Sequence, residues 1–238
     1  MKRRSKTLLL LTVFTTLTIA LSGCSGDKGS DSTSQITIGI AQDIEDSLDP
    51  HKVVAAGTKE IFFNIYEGLV KPDSDGNFIP AVASDVKVAE DGSTYTFTLR
   101  EGIKFHDGSP VTVEDIKYSL DRCADASSGE PLVAAFSNID AVTILDDQTV
   151  EVSLKVPDTE FLANLTTAII PASNSDPDKN AIGTGPYRYV SRSPQENVIL
   201  ESFEDYWGGK PDIDQITLKV SANADSLVMD LNGGSLDM

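Results

Sequence analysis

Cysteine and histidine are scarce in this 238-residue chain, with two of each: Cys24 and Cys123, His51 and His106. So few thiols cannot build a disulfide framework or a cysteine cluster for a metal. Two histidines far apart in sequence give a zinc site no scaffold. Basic residues are also few, nineteen Lys and Arg against thirty-seven Asp and Glu. Four of those nineteen (Lys2, Arg3, Arg4 and Lys6) fall before residue 24, where there is no acid, so the rest of the chain is more acidic still. That balance argues against nucleic acid and anionic lipid surfaces as partners, without naming a ligand. Long hydrophobic runs are nearly absent. The uncharged stretch Leu8 to Leu21 has fourteen residues, short of the roughly 20 that span a bilayer.

Catalytic motifs are missing as well. No Gly-x-Ser-x-Gly nucleophile elbow occurs. Gly183-Thr184-Gly185 lacks the further glycine, lysine and helix start of a phosphate loop, and reads as a turn entering a strand. His106-Asp107 sits inside a Phe-His-Asp-Gly turn and reads as local structure, not an acid–base pair. The many carboxylates show no pair placed across a cleft, as glycoside hydrolysis would need. Tyr206-Trp207-Gly208 reads as packing at a strand end, and Cys123 as a small core or surface residue. The sequon Asn164-Leu165-Thr166 carries little weight. Neither enzyme chemistry nor a cofactor is expected.

What is present begins at the N-terminus. A basic start, a short apolar core and small residues ending in Leu21-Ser22-Gly23-Cys24 read as an export signal over residues 1–23. The ending resembles a bacterial lipobox, whose cysteine carries a diacylglyceryl group. Two acyl chains give stable membrane anchoring where one is marginal. Residues 24–35 then form a lipidated cysteine and a small, polar, flexible tether.

Beyond it, apolar and polar residues alternate over Gln35–Ile40, Thr94–Arg100 and Thr149–Val156, which predicts strands. Ile139–Leu145 pairs with the last of these across Asp146-Asp147. Further strands are expected over Tyr187–Ser191, Asn197–Phe203 and Asp214–Val220. Spacings of three and four predict helices over Lys59–Val70, Phe161–Ile170 and Ala222–Leu231, the last with Leu227, Val228 and Leu231 on one face. Thr112 is placed to cap a helix whose apolar face is Val113, Ile116 and Leu120. Leu236-Asp237-Met238 reads as the beginning of another strand.

Several segments, in order, carry a resemblance. They are Leu48-Asp49-Pro50-His51, Asn64 to Val70, Asp91 to Arg100, Gly102 to Asp115, Gly183 to Tyr187, Asp205 to Pro211 and Asn232 to Asp237. Together they resemble the family 5 extracytoplasmic solute-binding proteins of oligopeptide, dipeptide and nickel ABC importers, over residues 36 to 238. The resemblance implies a mixed α/β fold, a periplasmic-binding-protein-like type II lobe with an inserted β-rich subdomain. Residues 36–70 and 173–238 correspond to the first lobe and 71–172 to the subdomain. The second lobe is absent, so the chain is expected to be the first part of a longer protein.

The function implied is capture of a short peptide outside the membrane and delivery to the permease and ATPase subunits of the importer, by a monomer held to the outer face of the cytoplasmic membrane only through its lipid. By resemblance, main-chain groups of Val54, Ala55, Ala56 and Gly57 pair with the peptide as a short added strand, and Thr184 and Gly185 line the cleft. Nickel or another small solute, and a surface lipoprotein without a transport role, stand as alternatives.

Overall fold

The computed structural model describes residues 34–127 and 129–238. The export signal, Cys24 and the tether as far as residue 33 lie outside the described residues. The fold is mixed α/β, built on two four-stranded sheets.

One sheet carries strands from both ends of the described chain. β1 (Gln35–Ile40) runs parallel to β10 (Gln215–Val220), in register from Gln35 opposite Gln215 to Ile40 opposite Val220. β10 continues antiparallel to β9 (Asn197–Ser202), and β9 to β8 (Tyr187–Ser193). On the free side of β1, the amides of Asp237 and Met238 donate to the Thr37 carbonyl and the Gly39 amide donates to the Met238 carbonyl. Leu236–Met238 thus hydrogen-bonds along β1 without forming the strand the sequence suggested. Asn223 caps α3 (Ala224–Asn232) by accepting from the Ser226 amide at 2.9 Å. The helix buries no residue, and Val228 and Leu231 stay exposed.

The other sheet is antiparallel, in the order β4 (Ala83–Val88), β5 (Thr94–Leu99), β7 (Thr149–Leu154), β6 (Ile139–Asp146). Its inner face follows from alternation. Tyr95, Phe97, Val150 and Val152 are fully buried, while their threonine and glutamate neighbours point away. α2 (Val113–Ala124) covers this face. Thr112 and Asp115 cap it reciprocally, the Asp115 amide donating to Thr112 Oγ1 and the Thr112 amide to the Asp115 carboxylate. Ile116, Leu120 and Cys123 are buried beneath it, and burial pushes the Cys123 thiol up to about 12. A small hairpin, β2 (Val70–Pro72) with β3 (Phe78–Pro80), leads into this sheet.

Each sheet has its own apolar core. One gathers β5, β7 and α2 with Phe136 and Phe161. The other gathers Ile61, Phe62, Ile65 and Tyr66 with Val198, Leu200, Ile216 and Leu218.

Two predicted helices are corrected. The helix expected over Lys59–Val70 is α1, Ala56–Phe62. It cannot continue because the following carbonyls are taken by distant segments: Asn64 by the Tyr187 amide, Ile65 by Gly185, Glu67 by Ile169, Leu69 by Ala81. The apolar residues are buried as expected, but along an extended strip. The helix expected over Phe161–Ile170 is a 3-10 turn, Phe161–Thr166, and Ile169 pairs with that same strip.

Candidate ligand-binding cleft

The loop after β1 begins with a buried carboxylate. Arg192 of β8 holds both oxygens of Asp43 at 2.8–3.1 Å and reaches Asp46 Oδ1 at 3.1 Å. Burial pulls the Asp43 pKa upward, but Arg192 and the Gln195 amide outweigh it and hold the carboxyl below its ordinary value. Next, Glu45 caps the start of α1. Its carboxylate accepts from the amides of Val54 and Ala55 at 3.2 and 3.3 Å, and its own amide donates to Thr58 Oγ1.

Between these caps lies Leu48-Asp49-Pro50-His51, held by three ties. Tyr66 Oη donates to the Leu48 carbonyl at 2.7 Å. Arg122, near the end of α2, grips both oxygens of Asp49 and donates to His51 Nδ1. His51 Nε2 bonds the Ala168 carbonyl at 2.8 Å. Since Nδ1 accepts, the proton sits on Nε2 and the ring is neutral. Burial lowers the His51 pKa, and the nearby guanidinium adds to that. Burial alone would raise the pKa of Asp49; Arg122 brings it below the ordinary value.

This clamp forms one wall of a cleft of about 310 Å³. Pro50, His51 and Val53 form its floor, α1 adds Lys59 and Phe62, and Phe63 follows just past the helix end. Leu132–Val133 and the stretch Ala163–Ala168, in and just after the 3-10 turn, complete the lining. Phe62 and Tyr66 pack tilted, their centroids 5.3 Å apart. Phe63 and Leu132 are 58% and 45% exposed at the mouth. A second, wider hollow of about 650 Å³ lies past the carboxyl ends of β1 and β10 and is lined by Asp43, Glu45 and Asp46.

The sequence-derived site residues separate into two groups. Val54 is 79% exposed, directly after the cleft residue Val53, and Ala56 and Gly57 are exposed beside it. Ala55 is half-buried, and its amide, like that of Val54, is engaged by Glu45. Thr184 and Gly185 are buried and are not among this cleft's lining residues; they sit where the loop before β8 crosses the strip at Asn64–Ile65. A Cβ on Gly185 would fall 2.6 Å from the Asn64 carbonyl oxygen, and one on Gly183 2.1 Å from that of Ile65. His106 fastens this crossing. Its Nε2 meets the Gly185 carbonyl at 2.9 Å and its Nδ1 accepts from the Gly183 amide. Burial takes the His106 pKa down to about 4.

Lys59, Phe63 and Leu132 went unrecognised in the sequence. Phe63 carried a faint signal, a large apolar residue off the buried face of a short helix. Among the described residues, no three His, Cys, Asp or Glu are gathered as metal ligands, and no helix is long and apolar enough to cross a membrane.

Comparison with known proteins places the chain among extracytoplasmic binders. The family model "bacterial extracellular solute-binding proteins, family 5 middle" matches residues 77–238. Glutathione-binding protein GsiB of Pectobacterium atrosepticum is 34% identical over 180 residues, 72% of this chain and 35% of that protein. The binding protein AgaA of A. tumefaciens R10, solved with agropinic acid, superposes with a TM-score of 0.79 at 28% identity, over 85% of this chain and 43% of its own. The ABC-transporter-associated periplasmic binding protein DppA of Helicobacter pylori, solved with the peptide STSA, superposes at 0.77 and 26% identity, over 85% and 45%. The chain thus spans less than half the length of each.

Proposed function

Because this chain belongs to the family 5 bacterial extracellular solute-binding proteins, we propose that it captures short peptides outside the membrane for an ABC importer and performs no chemistry on them. Its fold is part of the type II periplasmic-binding-protein fold of the solved neighbours. The observation that carries the reading is the cleft beside Val54–Gly57. Val54, Ala56 and Gly57 are exposed; Glu45 takes the Val54 and Ala55 amides, which leaves the Val54 carbonyl and the first amides of α1 for a ligand, and an adjoining pocket with aromatic walls can take one ligand side chain. Main-chain pairing supplies affinity and a side-chain pocket supplies selection. Relatives named for glutathione and solved with the peptide STSA support a peptide ligand.

Nickel fits less well. Both ring nitrogens of His51 and of His106 are engaged by protein groups. The relative solved with agropinic acid keeps a small non-peptide solute as the rival reading.

Residues 36–70 and 173–238 form the lobe in this reading, and 71–172 the subdomain. The two cores support that division, because the second-sheet core takes Leu69 at one end and Ile169 at the other. Thr184 and Gly185 act by shaping the lobe behind the cleft. Cys24 carries the lipid, the tether ends by residue 33 because Ser34 and Gln35 already pair with Asp214 and Gln215, and the permease and ATPase subunits receive the ligand from a monomeric binder. Mass spectrometry of ligand released from full-length protein purified from its native envelope tests the reading. Peptides of a few residues are expected, and a non-peptide solute at full occupancy would overturn it. Loss of fatty-acid labelling in Cys24→Ala tests the anchor.

A further inference from the structure

The chain is strongly acidic, with eighteen more acids than bases, yet its cleft is not. No carboxylate lines it. Asp49 behind it is neutralised by Arg122, and His51 is held uncharged. The wide hollow past β1 and β10 is lined instead by three acids, two of them paired with Arg192. The one ionic side chain among the cleft's lining residues is that of Lys59 on α1, which is exposed. Among the described residues, most lysines and arginines are satisfied by ion pairs or carbonyls, as with Lys52, Lys71, Lys104 and Lys117. Lys59 has no ion pair and no side-chain hydrogen bond there. Across the cleft, the Asn164 side-chain amide is similarly unengaged, whereas the Thr166 and Thr167 hydroxyls already donate to main-chain carbonyls. The unengaged donors of the cleft are therefore one ammonium and one amide, set among Phe62, Phe63 and Leu132.

Resting on the solute-binding reading, we infer that the cleft selects ligands presenting a carboxylate next to an apolar group, and that Lys59 is the specificity-determining residue. The aromatic walls take the apolar part, and exclusion of water on binding strengthens attraction to the ammonium. Lys59 is a flexible point charge on a four-carbon stem, so it can follow a carboxylate on ligands of differing length. The carboxylate has two possible sources, an acidic side chain or the peptide C-terminus.

The test uses full-length protein and a synthetic library of tri- to hexapeptides. Each glutamate peptide has a glutamine counterpart, and all are supplied with free and with amidated C-termini. Retained peptides are quantified by mass spectrometry. Wild type is expected to favour the carboxylate form about two- to fivefold in one of the two comparisons, the range of an exposed ion pair; the comparison that responds identifies the source. Lys59→Gln should bring the ratio to about one, Lys59→Glu should invert it, and Lys59→Arg should restore it, with circular dichroism verifying the fold of each variant. A ratio near one in wild type, or one unmoved by Lys59→Gln, overturns the assignment of Lys59 while leaving peptide capture standing. Retention of no peptide by wild type overturns both.

Discussion

Replacing Arg122 by methionine tests how the cleft is held. Asp49 has no exposed side-chain surface, and the guanidinium gripping it is 20% exposed. Methionine fills much of the same volume but leaves the carboxylate buried without its main partner. Breaking a buried ion pair from one side costs about 3–5 kcal/mol. Two features reduce that here: Arg122 keeps some contact with water, and Lys52 Nζ remains 3.5 Å from Asp49 Oδ2. A loss of about 2–4 kcal/mol is therefore expected, read as a shift in urea midpoint followed at Trp207, the single tryptophan.

The loss should depend on pH. With Arg122 present, His51 is neutral. Once the cation is gone, the nearest charge to His51 is Asp49, which favours the protonated ring and raises its folded pKa. Burial still lowers the His51 pKa, but the variant's ring takes up its proton at a higher pH than the wild type's, so the variant recovers stability relative to wild type as pH falls. The deficit of Arg122→Met should then be larger at pH 8 than at pH 5.5. Adding Asp49→Asn should recover at least half of it, because the buried charge is removed. Ligand affinity should fall in parallel, since Pro50 and His51 form the floor of the cleft. A deficit below about 0.5 kcal/mol, or one with no pH dependence, would refute the argument that the pair holds this loop.

His106 makes a separate pH prediction. Folding holds it neutral, with a pKa of about 4, while the unfolded chain takes up a proton below about 6.5. Its contribution is complete above that pH and is lost as pH falls toward 4, by up to about 3 kcal/mol; His106→Asn should flatten this part of the pH–stability curve. Glu67→Gln should cost about 1–3 kcal/mol and shift Trp207 emission. The buried Glu67 carboxylate accepts from Trp207 Nε1 at 2.6 Å, Tyr206 Oη at 2.7 Å and Lys71 Nζ at 2.9 Å; unchanged emission would count against this network. Gly183→Ala should destabilise by about 2–4 kcal/mol, because its Cβ would meet main-chain atoms that cannot move independently. Equal thermal midpoints for variant and wild type would refute that close approach.

The antiparallel sheet was the most legible part of the fold. Strands β5 and β7 announce themselves by strict alternation, and α2 by its cap and apolar spacing; these are local signals. Lys59–Val70 misled because its apolar spacing fits either a helix or an extended strip buried on all sides. Only the partners of its carbonyls decide, and those come from residues 169, 185 and 187. The cleft was half legible. The small-residue run Val54–Gly57 was visible through resemblance, but its apolar walls come from Phe63, Leu132 and Ala163–Ala168, three separate stretches joined only by folding. Asp49, His51 and Arg122 form one unit across more than seventy residues, and no spacing rule connects them.

The two cores explain why those long-range ties exist. Phe62 and Tyr66 of the cleft belong to the core of the β1 sheet, whereas Val133 and the 3-10 turn pack on the core under α2. If the cores moved independently, the cleft would have no fixed width. The strip from Asn64 to Val70 passes between them, and the ties cluster along it: His51 to Ala168, Arg122 to Asp49, His106 to the Gly183–Gly185 crossing, and Glu67 to Tyr206 and Trp207. All are polar and directional, whereas each core is apolar and tolerant of small shifts in packing. Apolar burial makes each half stable, but it does not fix one half relative to the other. Saturated buried hydrogen bonds can, because any displacement strands a polar group without a partner. The polar residues of this chain thus set the width of a cleft whose walls are largely apolar.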